Sequence, residues 1–549
     1  MSVTSPASPA PQTAGPKHKV YSLQLPNALP VGIVASIILM IVSFSGGATR
    51  NRGGFLEALN IGFLAYGHGR NVGMVLYWFG LFGLVAAWIL AGRQVVAPQL
   101  KNPTPDGGLR EIRRMLAAWI APLLFAAPLA SRDVYSYLMQ GAMVRDGFDP
   151  YTEGAAVNPG QFLLEVSHDW RNTTTPYGPL HLWTAEGVTR LVGDNVAAGI
   201  IVYKAISVLG FAVIVFAITR LARALGGDPA LALWLGVANP VVVLHLIGGM
   251  HNESVMVALV SLGLLAAVHK RFHIGLILIG VAVALKATAI FAAPFVVWMM
   301  VLHHAPRERG VAKQVLAFVI SGIVALVEVA LSVAVITWVS GSSWGWLSQI
   351  SGNSKVVNPL AGPTFAADVL IPLIQVFSPE TTYNGVLGML RSISMVFMLI
   401  GLVLMWWLGR GSINRAIAGT AGAYQVAFVF NSVTLPWYYA SVLTLMGTFR
   451  PPLLLIKITT GVSLFIGVAF SGDGNHQLYN WWWDIGMVVA AWALTQWIFA
   501  GLPENLGSGL RERDRAAKPR PVLDDAPASS PEASSKAEAC ARRMTSRAR

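Results

Sequence analysis

Charge is scarce in this chain. Only 12% of its 549 residues are Asp, Glu, Lys or Arg, against 54% that are hydrophobic. A water-soluble protein of this length needs far more charge to cover its surface, so a soluble globular fold is excluded. Cysteine is scarcer still. The single thiol, Cys540, lies in the polar C-terminal tail, which rules out an intrachain disulfide and a thiol metal cluster. No Gly-rich phosphate loop is present, and no polar stretch is long enough for a nucleotide-binding βαβ unit. The opening "MSVTSPASPAPQTAGPKHK" is too polar and Pro-rich for a signal peptide, so the first apolar helix is expected to serve as the insertion signal.

What is present is apolar on every side. Runs such as "VGIVASIILMIVSF", "GLFGLVAAWILAG" and "VAVITWV" have no polar stripe, which marks lipid-embedded helices. The chain reads as an all-α polytopic membrane protein. Candidate spans are 29–46, 71–92, 112–131, 197–220, 230–249, 254–269, 273–287, 288–302, 312–338, 384–408, 415–432, 436–449, 453–471 and 482–500. Some are short enough to be tilted, broken or re-entrant, so about 11 to 14 crossings are expected. Residues 1–28 and 503–549 are expected to be disordered cytoplasmic tails, the second basic, flanking a helical body at 29–502.

The net charge of +13 does not imply a nucleic-acid partner, because the basic residues sit mostly in short connections and the tail. Arg93, Lys101, Arg110, Arg113 and Arg114 share one connection, Arg220 and Arg223 a second, and Lys270 and Arg271 a third. His303, His304, Arg307, Arg309 and Lys313 form a fourth, and Arg410 and Arg415 a fifth. Placing all five in the cytoplasm puts both termini there and turns 47–70, 132–196, 250–253, 339–383, 432–436 and 472–481 outward. The apolar stretch 273–304 then has basic residues at both ends and must reverse near Lys286, leaving that ammonium a little below the outer surface. Such a lysine either snorkels to water or pairs with a carboxylate, or it meets a lipid phosphate as a compact point charge.

The longest outer connection, 132–196, carries the most unusual chemistry. Asp133 to Arg145 is patterned as a helix whose apolar residues, Val134, Leu138 and Met139 among them, are expected to lie in lipid at the interface. The Pro-rich turns "GFDPY" and "TPYGPL" halt any helix after it. Asp133 has two readings. A carboxylate there can cap the helix or meet its dipole; a partly desolvated one can also take a hydroxyl proton as a general base. Asp146, Asp149 and Glu153 are rival carboxylates that read as solvated loop charges, and Arg132 and Arg145 either hold phosphate or neutralise those acids. His251, Asn252 and Glu253 begin a helix in "GGMHNES"; a lone His-x-Glu pattern does not make a ligand set, so no metal is expected. Asn431, Trp437, Tyr438 and Tyr439 fit either an interfacial aromatic belt or a stacking platform for a sugar ring. With no nucleotide site, an activated donor carried in the membrane fits best.

Taken together, "RDVYSYLMQGAMVRDGFDPY", "TTPYGPL", "HNESVM" and "LPWYY" resemble the actinobacterial polyprenyl-phosphomannose-dependent α-1,6-mannosyltransferases of the MptA/MptB type, within the wider GT-C glycosyltransferases. The resemblance spans roughly 29–500 and leaves out both tails. It implies a GT-C-type helix bundle in the plasma membrane with its active site on the outer, periplasmic face. It also implies a polyprenyl-phosphate-mannose donor and a mannosylated lipid acceptor of the lipomannan and lipoarabinomannan core. Some GT-C enzymes use a divalent metal, but this sequence shows no clear ligand set, so no cofactor is expected. The family's essential acid early in the first large outer loop falls on Asp133, which would accept the acceptor's 6-hydroxyl proton in a single inverting displacement. Lys286, Arg145 and Arg132 become candidates for the departing phosphate. Tyr135, Tyr137, Gln140, Asp149, Tyr151, Tyr177, His251, Asn252, Glu253, Asn431, Trp437 and Tyr438 become candidates for sugar and acceptor contacts. A secondary transporter would show related halves and midplane charges on broken helices, and no such repeat is visible. An arabinose or glucose transferase, or a lipid-linked sugar flippase, stays open.

Overall fold

A computed structural model describes residues 25–306, 310–352 and 357–503. The predicted tails, apart from a few inner residues, lie outside the described residues, as do Cys540, Arg307 and Arg309. Among the described residues no strand forms; a lone bridge joins Phe470 to His476. The protein is an all-helical polytopic membrane bundle. By length and composition alone, five described helices can cross a bilayer, six if one bent pair is a single span, and several shorter apolar helices accompany them.

The N-terminal part packs α1 (Ala28–Val42) against α2 (Gly67–Ala91) and α3 (Leu109–Leu123). In the connection 132–196 come α4 (Asp133–Arg145) and α5 (Pro179–Val192), followed by the long α6 (Val196–Ala224). Then follow α7 (Glu253–Val268), α8 (Phe272–Leu285), α9 (Ala293–His304) and α10 (Val311–Val339). The C-terminal part holds α11 (Gly362–Gln375), α12 (Tyr383–Gly409), α13 (Ile413–Phe430), α14 (Leu453–Gly467) and α15 (Trp481–Ile498).

Hydrogen bonds between distant connections define the two ends of the bundle. At one end Ala48 N–H donates to Pro128 O (2.9 Å), Leu129 to Gly248 (3.2 Å), Ala130 to Gly472 (2.8 Å) and Gly178 to Leu285 (3.1 Å). At the other, Gln94 Nε2 donates to Pro26 O (2.7 Å), Arg93 to Ala500 O (2.9 Å) and Gln99 Nε2 to Asp228 Oδ2 (3.0 Å). The second end carries the basic connections; the first gathers the polar loops.

Several expectations are corrected in detail. The span 112–131 is helical only to Leu123; Pro122 and Pro128 interrupt the ladder, and 126–130 runs without helix into the polar end. The span 230–249 breaks into Pro229–Val237 and Pro240–Gly248, bent by 51°. Pro240 supplies no N–H and pushes Asn239 out of helical geometry, and the Asn239 side chain accepts from Val241 N–H (3.0 Å) to restart the helix. The stretch 273–304 does double back: α8 stops at Leu285, Lys286 is extended (φ −151°), and Phe272 at one end meets the His303 ring at 5.6 Å from the other. α4 begins and ends where the sequence pattern places it, but it does not lie in lipid. Val134, Tyr135, Leu138, Met139 and Met143 are all buried, packed against α5, α6 and the short helix Gln161–Glu165. The helix with a lipid-ready apolar side is α11 in the second large loop, where Leu373 and Phe365 are exposed, with exposed Phe377 just beyond its end.

One packing device ties α2 to the broken span. Trp88 and Trp234 stack at 4.5 Å, and each indole N–H donates to the other's backbone carbonyl, at 2.8 and 2.9 Å. Both rings are fully buried, so each pairs its polar edge without water.

Candidate active site

Two residues with left-handed backbone aim the site. Ala130 (φ 59°) and Met250 (φ 57°) are non-glycine residues in a region costing about 1–2 kcal/mol each. The first turns the chain so that Ser131 Oγ accepts from Asp133 N–H (3.1 Å), starting α4; the second delivers His251 just before α7. Asp133 is therefore the first residue of α4, and its carboxylate caps nothing. Its Oδ2 lies 3.4 Å from His251 Nδ1, with the Asp133 side chain 15% exposed and His251 wholly buried. His251 stacks on Trp437 at 3.7 Å between ring centroids, 17° from parallel.

Asp133 borders two cavities of unlike chemistry. The smaller, about 140 Å³, is lined by Tyr137, Gln140, Thr173, Thr174, Tyr177 and Tyr438 among others, and by no Arg, Lys or His. The larger, about 730 Å³, is lined by Arg70, Arg132, Arg171, His168 and His476, with Trp437, Asp473 and Asp169. Among the described residues no group of three or more His, Cys, Asp or Glu side chains stands in metal-binding array.

Behind the smaller cavity lies a buried polar layer. Lys286, where α8 ends, pairs with Glu253 Oε1 and places its Nζ 4.1 Å from the Tyr438 ring centroid and 5.4 Å from that of Tyr177. The ammonium is thus held by a carboxylate and two aromatic faces, one step behind the cavity wall. His181 bridges Gln140 Oε1 (2.9 Å) and the Asn252 amide (3.2 Å). Burial, with Lys286 nearby, pushes its pKa down to about 3, so it is neutral; the Gln140 oxygen accepts from Nε2–H and Nδ1 accepts from Asn252. Tyr137 meets this ring edge-on at 4.8 Å.

Other sequence candidates have structural employment. Arg145 grips Asp146 and Asp194 (both 2.8 Å), which holds the Asp146 carboxyl below its usual range, and it lines neither cavity. Asp149 accepts from Tyr151 N–H (2.9 Å) in a turn, and Tyr151 is buried. Asn431 closes the turn after α13 through Val433 O (2.9 Å) and Ser432 N–H (2.9 Å). Tyr135 donates to Ala48 O (2.8 Å) and faces away, into a third cavity. Arg132 reaches Thr49 O (2.7 Å) and Glu165, and its guanidinium packs on the Tyr135 ring at 4.8 Å.

Residues 29–302 match the family model described as α-(1→6)-mannopyranosyltransferase, N-terminal domain, and residues 363–500 match the MptB C-terminal domain. An α-(1→6)-mannopyranosyltransferase A of Corynebacterium glutamicum is 54% identical over 471 residues, covering 84% of this chain and 96% of the relative. The chain belongs to this family. A second α-(1→6)-mannopyranosyltransferase A, from Mycobacterium tuberculosis, is 36% identical over 85% of this chain and 88% of its own length. An α-(1→6)-mannopyranosyltransferase B of C. glutamicum is 32% identical over about half of each chain.

In this mannopyranosyltransferase-family glycosyltransferase the cavity walls also use residues that sequence reasoning passed over. Arg70 pairs with Asp473 (3.0 Å) across the larger cavity. Gln349 in the short helix Trp346–Gly352 accepts from Thr174 Oγ1 (2.5 Å) and donates to Tyr151 O (2.9 Å), closing the smaller one. Behind the walls, Glu165 is buried and accepts from Arg50, Arg132 and the Asn51 N–H (2.6 Å). None belongs to a local motif.

Proposed function

We propose that the protein transfers mannose from polyprenyl-phosphate-mannose to the 6-hydroxyl of a mannan acceptor of the lipomannan and lipoarabinomannan core, at the outer face of the plasma membrane. The observation that carries this reading is the position of Asp133 between a cavity rich in cations and one without any. A sugar phosphate suits the first, where Arg70, Arg132 and Arg171 meet its charge. An uncharged sugar suits the second, with its hydroxyl and amide donors and its tyrosine faces. Relatives named α-(1→6)-mannopyranosyltransferase support mannose and the linkage. The gathering of basic connections at the opposite end supports an outward-facing site.

In this reading Asp133 is the general base. Its carboxylate takes the proton from the acceptor 6-hydroxyl while O6 forms a bond to the anomeric carbon. The C1–O bond to phosphate breaks, and polyprenyl phosphate leaves with the electron pair. One displacement inverts a β-linked donor to an α product. His251 is a positioning residue that holds Asp133 from behind, seated on Trp437. Lys286 adds positive potential through the Tyr177 and Tyr438 wall, its charge shared with Glu253.

Membranes bearing the full chain, given radiolabelled polyprenyl-phosphomannose and a short α-1,6-mannoside, are expected to lengthen the acceptor by α-1,6 linkage. Asp133→Asn is expected to insert and melt like the parent yet lose about 10²–10⁴-fold in rate. Full turnover by that variant removes Asp133 as the base, and transfer only from an arabinose or glucose donor removes mannose.

A further inference from the structure

A third cavity, about 820 Å³, opens beside Tyr135 and plays no part in the chemistry above. Its wall is apolar, with Phe44, Phe55, Phe63, Phe125 and Ile201. Phe125 and Ile201 are 74% and 68% exposed, so the groove is open towards lipid. Two cations, Arg50 and Lys204, and one carboxylate, Glu57, line it.

Lys204 is unusual. It is buried in the third turn of α6, and its Nζ donates to Leu123 O (3.3 Å) and Ile247 O (2.6 Å). Among the described residues no carboxylate lies within 4.0 Å of it. Two carbonyls accept from its ammonium, and no carboxylate pairs with it, which is costly inside a bilayer protein. Depth is informative as well. From Lys204 to Arg220 is 16 positions of one helix, or about 24 Å at 1.5 Å per residue, against a hydrocarbon core of about 30 Å. With Arg220 at one boundary, the Lys204 backbone sits about 6 Å inside the other, just below the headgroup layer.

We infer that this groove is a binding site for an anionic phospholipid, one acyl chain along the Phe44–Phe125–Ile201 wall and its phosphate met by Lys204 and Arg50. A closed partition separates it from Asp133. Tyr135 is 1% exposed and tied to Ala48, Arg132 packs on its ring, and Arg132 and Arg50 are both fastened to Glu165. The occupant is therefore a resident lipid and not the sugar donor. It would brace the 43–66 connection against α6 and the stretch 124–128 that follows α3, all of which line the groove.

The test uses purified full-length protein reconstituted with phosphatidylcholine alone or with added phosphatidylglycerol, followed by native mass spectrometry and thermal melting. Phosphatidylglycerol is expected to stay bound and raise Tm above the phosphatidylcholine baseline. Lys204→Met and Ala197→Trp are expected to lose both effects, and Lys204→Arg to keep them. Ala197 is an exposed groove residue, so its variant reads the site even where Lys204→Met does not fold. Three results each overturn the inference: no preference for phosphatidylglycerol, equal stabilisation by inorganic phosphate, or displacement of the bound lipid by undecaprenyl phosphate, which would assign the groove to the donor.

Discussion

The imidazole of His251 lies flat on the indole of Trp437, 3.7 Å between centroids, with its Nδ1 turned to Asp133 Oδ2 at 3.4 Å. A ring trapped between a carboxylate and an aromatic plane has one orientation available, and it passes that order to Asp133. His251→Ala is expected to lower kcat by about 10²-fold with KM for the donor little changed, because a misdirected base costs rate more than binding. Steady-state kinetics on both variants, His251→Ala and Trp437→Leu, reads this, and the two losses should not add.

Arg70 is expected to act on binding. Arg70→Ala opens its pair with Asp473 and removes a cation from the larger cavity. A rise in donor KM of about tenfold or more, with kcat close to parent, is the expected outcome. An unchanged donor KM would place the phosphate elsewhere.

Lys286 and Glu253 form a buried pair whose members depend on each other. Removing one partner leaves a buried, unmatched charge, so Lys286→Met or Glu253→Gln alone should cost about 3–5 kcal/mol. The double variant Glu253→Gln/Lys286→Met should recover much of that stability. A double-mutant cycle on thermal unfolding measures the coupling directly.

His181 makes the fold acid-sensitive. Its folded pKa is pushed down to about 3, against about 6.5 in the unfolded chain. Between those values the unfolded state binds the extra proton, so stability rises with pH through this window and is complete above pH 6.5. The expected slope is at most about 1.4 kcal/mol per pH unit. His181→Gln should flatten the acid limb of Tm against pH relative to the parent.

Gly141 is where α4 crosses α5. A Cβ there would stand 2.2 Å from Ala185 O, a backbone atom that can move only with its helix. Gly141→Ala should therefore cost about 1–3 kcal/mol and lower transfer by shifting Asp133. Melting temperature and rate should fall together.

Much of this was legible in the sequence, and the failures have physical causes. The bounds of α4 and the reversal near Lys286 follow from turn residues and from basic residues at both ends of one apolar stretch. The surroundings of α4 did not follow, since a pattern of apolar side chains reads alike whether the neighbour is lipid or protein. Lys286 was visible as an isolated charge, but its partner lies in another helix. The sequence alone could not join Glu253 to it. Arg70 and Asp473 come from connections 403 residues apart and pair beside the unwound stretch 126–130, whose Ala130 is tied to Gly472.

That unwound stretch has a further consequence. Leu129 and Ala130 hydrogen-bond to Gly248 and Gly472, so one short segment just ahead of Asp133 is pinned by both the N-terminal and the C-terminal family regions. The two regions cannot be traded independently between homologues. A chimaera joined in the middle of the chain will carry a working centre only where the incoming half presents its carbonyl at the height that Gly472 occupies here.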